Sequence, residues 1–159
     1  MSAENLTLAQ LEAEYEELQF PAFTFEDAWA IGSALVEQGR RDSLPIAIDI
    51  TLNNQVLFHA GLPGSSPDND QWLARKARVV QRFHRSSLLV AQRLKVKGES
   101  LEDKFGLSTS DYAPYGGAVA LRIRDVGVVG TVSVSGLADH EDHRLAAEAM
   151  RSRLVERGR

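Results

Sequence analysis

At 159 residues, 43% of them hydrophobic, the chain is long enough for one globular core and short for two. It contains no cysteine, which excludes disulfides, thiolate metal sites and a cysteine nucleophile. With a net charge of −4, an acidic amphipathic N-terminus unlike a signal peptide and no apolar run near the roughly 18 residues of a membrane span, the sequence reads as soluble and cytoplasmic.

In chain order, residues 6–19 suit a short helix. Thr24, with Asp27 three residues on, has the form of a capping box opening a second helix, which carries Ala28, Ile31, Leu35 and Val36 on one face and stops near Gly39. The stretch "PIAIDITLNNQVLFHAG" (45–61) reads as a hairpin, with Ile46, Ile48, Ile50 and Leu52 on one side, an Asn-Asn turn and a return strand through Phe58. "LPGSSPDND" (62–70) is loop by composition, and its acids from Asp68 to Asp70 can cap a long helix starting near Gln71. A second hairpin turns around Asp125–Gly127, and a last helix spans about Asp139 to Arg157. Hairpins alternating with helices imply an antiparallel sheet with helices packed on it, an α+β domain. The whole of 1–159 reads as one domain, with an N-terminal helix in 1–20 and a core over 21–157. The Gly pair of "YGGAVAL" has neither a strand before it nor a helix after it, so dinucleotide-binding and P-loop readings fail.

Charge is unevenly spread. Residues 1–44 carry nine acids against Arg40 and Arg41, whereas residues 72–104 carry nine bases against Glu99, Glu102 and Asp103. Sparse aromatic residues within this basic island, and the acidic balance of the chain, argue against a nucleic-acid groove.

On a helical wheel with Trp72 at zero, Val79, Val80, Phe83 and Val90 define a buried face, Lys76 lies in its middle, and Ser86 and Ser87 straddle it. Arg75, Arg78, Arg82, Arg85 and Arg93 gather in an outward stripe. Two readings of Lys76 stand: its stem snorkels to the sheet edge, or its ammonium awaits an anion that the two serine hydroxyls share. In the last helix His143 lies among Ala146, Ala147, Met150 and Leu154. Helix-start electrostatics explains Asp139, Glu141 and Asp142 but not His143. That residue is either a hydrogen-bonded core histidine or a ligand; with His140 and Asp139 or Asp142 it offers a weak metal set.

Three ordered motifs carry a resemblance: "WLARKARVVQRFHRSS" (72–87), "DYAPYGGAVAL" (111–121) and "GTVSVSGLADHEDH" (130–143). Together they resemble the haem-degrading-domain superfamily named after GlcG and the haem-binding protein HbpS, in its small single-domain subgroup, over about Leu18 to Val155. The resemblance implies a profilin-like α+β fold with a central antiparallel β-sheet flanked by helices, assembly into homo-oligomers, and haem or other small-ligand binding with haem degradation as an associated activity. By position Trp72, Lys76, Phe83, Ser86 and Ser87 match its helix motif, Gly116 and Gly117 its Gly pair, and Ser135, Gly136, Asp142 and His143 its final motif. Where the subgroup has histidine before the Gly pair and Phe-Pro in the next strand, this chain has Tyr115 and Val119-Ala120. A phenol ligates ferric iron but is no near-neutral acid or base, so His143 with Tyr115 is the axial pair available to haem iron.

These residues predict a ligand pocket between the long helix and the sheet of a homo-oligomeric domain, taking haem or a small anion. Two alternatives stay open: a non-enzymatic phosphate- or carboxylate-binding module, and an adaptor whose basic island recruits an acidic protein partner. No residue is assigned a catalytic role.

Overall fold

The computed structural model describes residues 5–158. Eleven elements follow in order: α1 (Leu8–Glu17), β1 (Gln19–Phe20), α2 (Phe25–Arg41), β2 (Ala47–Leu52), β3 (Gln55–Gly61), α3 (Pro67–Phe83), α4 (Ser87–Lys97), α5 (Leu101–Phe105), β4 (Ala118–Ile123), β5 (Gly127–Ser135) and α6 (Asp139–Arg157). The strands form one sheet in the order β1-β4-β5-β2-β3, antiparallel except for the short parallel pairing of β1 with β4. This is the α+β fold that the sequence implies, a mostly antiparallel sheet flanked by helices.

Both hairpins form where turn chemistry places them. Asn53 and Asn54 adopt positive φ of 51° and 67°, the conformation a two-residue hairpin turn needs and asparagine tolerates. The capping box of α2 closes through Thr24 and Asp27. Gly39 does not end that helix, which runs on to Arg41; the glycine lies inside it against Leu62, where a Cβ would collide.

The long helix predicted from Gln71 is two helices. It begins earlier, at Pro67, because proline is pre-set for a first helical position and the Asn69 side chain accepts a hydrogen bond from the Ser66 N–H (2.9 Å). It ends at His84, which takes the left-handed conformation (φ 55°), and α4 restarts with Ser86 as its cap, accepting from the Leu89 N–H at 3.2 Å. The wheel carried through residue 90 therefore joined two helix axes. The tandem serine before an apolar run was a helix-start signal.

Strand alternation explains the layers. Ile48, Ile50, Val119, Leu121, Val132 and Val134 face α2 and α6 in the principal core, with Ala146, Ala147 and Met150. The opposite sheet face is small: Ala118 and Ala120 pack under Val80 of α3, and buried Thr51 and Thr131 share a 2.9 Å hydroxyl contact. That shallow face lets α3 approach the sheet closely.

Leu11 anchors α1 against Leu88 and Leu89, and charge adds to that contact. Only Leu11 of this helix is buried, yet Glu12 pairs with Arg93 (3.0 Å), Glu16 with Arg122 (3.2 Å), Glu17 with Arg151 (2.6 Å), and Glu14 with both Arg151 (3.1 Å) and the fully buried His143 (2.5 Å). The acidic N-terminal third thus meets bases of its own chain. Burial raises the Glu14 carboxyl, but hydrogen bonds and charge from His143 and Arg151 outweigh it and hold the group below its ordinary value. A carboxyl depressed by folding contributes its full stability above its unfolded pKa and loses it as pH falls through the folded one. Glu14→Ala, which leaves His143 buried without its partner, is expected to cost roughly 2–4 kcal/mol at pH 7 and less at pH 3, measured by urea denaturation at the two pH values.

Candidate functional site

Lys76 leaves the middle of α3 and crosses to the end of the sheet, where its ammonium is 3% exposed. It donates to the carbonyls of Gly116 (3.0 Å) and Val134 (2.9 Å) and to the Asp142 carboxylate (3.4 Å). A lysine has three protons to donate, and all three are taken. The left-handed Gly117 (φ 140°) makes room, since a Cβ there would strike the ammonium and the Val134 carbonyl. Asp142 accepts in addition from the backbone N–H groups of Gly136 (3.3 Å) and Leu137 (2.9 Å), so it ties the first turn of α6 to the end of β5. Burial is the leading influence on both partners: it lowers the Lys76 pKa and raises the Asp142 carboxyl to about 6, with mutual attraction opposing each shift.

Around this pair lies a cavity of about 250 Å3, walled by Asp68, Asn69, Trp72, Tyr115, Ser135, Leu137 and Asp139 with the backbone of Gly116 and Gly136. Of the residues expected at the site, it unites Trp72, Lys76, Tyr115, Gly116, Ser135, Gly136 and Asp142. Asp68 and Asn69, which read in the sequence as helix caps, also line it, as do Leu137, which carries no sequence signal, and Asp139, which reads as a helix-start acid or weak metal ligand. The lining is acid-rich, and its one ammonium has no proton left for an outside anion.

Four expected residues lie elsewhere. Phe83 packs against Val79, Val90 and Leu94 and meets Phe105 edge-on at 4.9 Å between centroids. Ser86 caps α4, and the Ser87 hydroxyl bonds both the Ala118 N–H (3.1 Å) and the Ala118 carbonyl (3.3 Å), so neither serine shares an anion with Lys76. His143 turns under α1: an ionised carboxylate only accepts, so its Nε2 donates to Glu14. It does not line the cavity that Tyr115 borders, so the expected His143–Tyr115 axial pair does not converge. Among the described residues no cluster of three or more His, Cys, Asp or Glu suits a metal ion, which leaves the set of His140, His143 and the neighbouring acids without support. No described helix is long and apolar enough to cross a membrane.

A second, larger cavity of about 510 Å3 adjoins the first across Trp72 and Tyr115, whose rings meet edge-on at 5.7 Å. Ala91, Leu94, Leu101, Tyr112, Ala113 and Pro114 give it apolar walls, and two bases, Arg75 and Lys95, and two acids, Glu99 and Glu102, stand among its polar residues. Arg75 stacks on the Trp72 ring (4.2 Å) and donates to the Thr109 carbonyl (3.2 Å). Tyr115, at the shared boundary, is 53% exposed.

Comparison with known proteins places this geometry in context. Residues 23–151 match the family described as haem degrading protein HbpS-like. A UPF0303 protein of Streptomyces avermitilis is 50% identical over 144 residues, covering 91% of this chain and 88% of the relative. The crystal structure of Ybr137w protein superposes with a TM-score of 0.88 at 29% identity, covering 98% of this chain and 92% of that one. That of a PduOC:heme complex superposes at 0.67 and 20% identity, over 82% and 94%, a likeness of fold.

The Lys76–Asp142 pair generates a stability test. Lys76→Met strands a buried carboxylate and is expected to destabilise the fold by about 3–5 kcal/mol, and Lys76→Met/Asp142→Asn to recover much of that loss, measured by denaturant titration. A carboxyl raised by folding binds its proton more readily in the folded state, so Asp142 stabilises at low pH and this contribution fades as pH rises through the interval between its unfolded value, 3.8, and about 6. Asp142→Asn is expected to flatten that part of the stability curve.

Proposed function

This chain belongs to the haem degrading protein HbpS-like family, and we propose that it binds a flat, largely apolar ligand with anionic ends, of the haem class, in the larger cavity beside Trp72 and Tyr115. The observation that carries this reading is the adjacency of the two cavities, because it sets one exposed phenol at the mouth of a mainly apolar space whose polar rim holds two bases and two acids.

Haem asks three things of a site: apolar faces for the macrocycle, cations for its carboxylates and a ligand for its iron. The smaller cavity does not fit, since Asp68, Asp139 and Asp142 repel carboxylates and Lys76 is engaged. The larger one fits better: Leu94, Leu101 and Ala113 offer apolar contact, Lys95 and the outer edge of the stacked Arg75 would pair with the carboxylates beside Glu102 and a Glu99 already bridged to Lys104 (2.7 Å), and Tyr115 would be the iron ligand at its edge. Bound there, haem would supply an iron centre; the chain's own part is to orient the ring, pair its charged edge and set the ligation through the phenol. The support from relatives is the family description together with the haem complex of the PduOC structure.

Small-anion capture by Lys76, Ser86 and Ser87 has no comparable support, because their hydrogen bonds are satisfied internally and the serines lie away from the ammonium. Recruitment of an acidic partner by the basic island meets a similar objection, as Arg85 and Arg93 already engage Tyr15 and Glu12.

The test is titration of the purified chain with ferric haem, followed by the Soret band. Saturable binding is expected, and Tyr115→Phe is expected to shift the ligation bands and weaken affinity about tenfold, whereas His143→Ala should lower stability and leave haem affinity unchanged at temperatures where it is folded. Equal binding and identical spectra in Tyr115→Phe, or loss of binding only in His143→Ala, would overturn the assignment.

A further inference from the structure

On the face of the sheet that α3 covers, a histidine that lines neither cavity stands between two carboxylates. His59 of β3 is in register with Asp49 of β2, so both side chains emerge on the same side, and the imidazole Nδ1 lies 3.2 Å from the Asp49 carboxylate. Its Nε2 lies 3.4 Å from the carboxylate of Asp70, in the first turn of α3. The ring thus spans the gap between sheet and helix. Asp49 is the most enclosed of the three side chains, 17% exposed against 45% for His59 and 48% for Asp70.

An ionised carboxylate only accepts hydrogen bonds, and an imidazole carries N–H on both nitrogens only when protonated. Contact with both acids therefore belongs to the imidazolium. The positions next to this trio are uncharged. On the other side of Asp49, β5 presents Ser133 in register, buried and with no hydrogen-bond partner for its hydroxyl, and the neighbouring positions on the same face of β2 and β3 are Ala47, Thr51 and Gly61. Along α3 the side that bears Asp70 continues with Leu73, Ala74 and Ala77. Burial lifts the Asp49 carboxyl above its ordinary value; the His59 contact opposes that shift and the charge of Asp70 adds to it.

A ring that has lost its proton keeps one N–H. Asp49 has the greater need of it, because a carboxylate shut away from water without a donor is costly, whereas Asp70 has water and the dipole of a helix start. The remaining proton stays on Nδ1, so the Nε2 lone pair faces Asp70 and attraction at the helix turns to repulsion. The start of α3 has little else to hold it. Leu73 is its first buried residue, and before that the contact across to the sheet is the long one from the Asn69 amide to the Ser135 hydroxyl, 3.4 Å. Asp68, Asn69 and Trp72, in these same turns, form one wall of the smaller cavity.

We propose that His59 is a proton-operated clip: protonated, it draws the start of α3 onto the sheet through Asp49 and Asp70, and on losing its proton it releases that end of the helix together with the Asp68, Asn69 and Trp72 wall of the smaller cavity. The clip does not depend on haem binding in the larger cavity.

The test is nuclear magnetic resonance of the full chain from about pH 5 to about pH 9, with the ring nitrogens of its four histidines resolved by isotope labelling. At the acid end both His59 nitrogens should carry protons, and at the alkaline end the ring should be the Nδ1–H tautomer. Hydrogen-exchange protection of the Gln71 to Ala74 amides, corrected for the intrinsic effect of pH, should fall about tenfold in step with the His59 ring, and the Trp72 indole signal should move with it. His59→Gln keeps a donor but does not titrate, so the change should vanish. Asp70→Asn should also abolish it, since an amide can donate to the unprotonated ring, while Nδ1–H remains on Asp49. Circular dichroism confirms that each variant is folded. Asp142, its carboxyl raised by burial to about 6, titrates in the same interval and touches Lys76 of the same helix. A response that survives in His59→Gln and disappears in Asp142→Asn would therefore overturn the inference in favour of that pair. Protection that does not vary with pH, or an Nε2–H tautomer at the alkaline end, would overturn it as well.

Discussion

The arrangement at the end of the sheet depends on one ammonium group. Lys76 is buried, and a buried cation is tolerable only where acceptors surround it. Its acceptors come from the loop before β4, from β5 and from α6, so a single side chain ties α3 to three other parts of the fold. The small face of the sheet is a condition for this. Bulkier residues in place of Ala118 and Ala120 would lift α3 away, and a Cβ at Gly117 would occupy the ammonium's place. The cavity walls follow from the same bond, because Trp72 lies one turn earlier on α3, and Ser135 and Asp139 flank the strand end and helix start that Asp142 joins.

Buried charge recurs across the molecule as a fastening between helices. Asp27 of α2 is fully buried and is held by Arg153 (2.8 Å) and Arg157 (2.5 Å) of α6. Glu14 of α1 is held by His143 and Arg151 of the same helix α6. α6 therefore receives the acids of two other helices, Glu14 of α1 and Asp27 of α2, and turns its own Asp142 back onto β5 and Lys76. Ion pairs of this kind add little net stability over an apolar contact, but each is costly to leave half made, so they specify one packing over its neighbours. Of the bases between residues 72 and 104, Lys76 belongs to this buried fastening, and Arg93 and Lys104 pair with Glu12 and Glu99 nearer the surface.

Two surfaces escape that internal pairing, and they lie on opposite layers. Beside α3 and α4 the Trp72–Tyr115 contact divides a polar cavity from an apolar one. On α2 and β3 an aromatic groove beside Trp29 and Phe58 remains open to the outside.

Patterns of short range were legible in the sequence: the capping box at Thr24, the Asn-Asn turn, both hairpins and the span of α6 all depend on residues within a few positions of one another. The motifs around Trp72, Gly116 and Ser135 likewise announced a shared site. Tertiary structure decided what those side chains face. One wheel drawn through residues 72–90 places Ser86, Ser87 and Phe83 beside Lys76, but a left-handed His84 changes the axis and sends the serines to the start of α4 and the Ala118 backbone, while Phe83, still in α3, lies two turns beyond Lys76 in a separate apolar cluster. The direction of His143 was equally beyond local periodicity, since a wheel shows that a residue is buried but not which neighbour buries it. Its partner, Glu14, lies 129 residues away. Separations of 40, 58 and 66 residues hid the partners of Lys76 in the same way: its place on an apolar face was readable, whereas its satisfaction by Gly116, Val134 and Asp142 required the chain to close on itself.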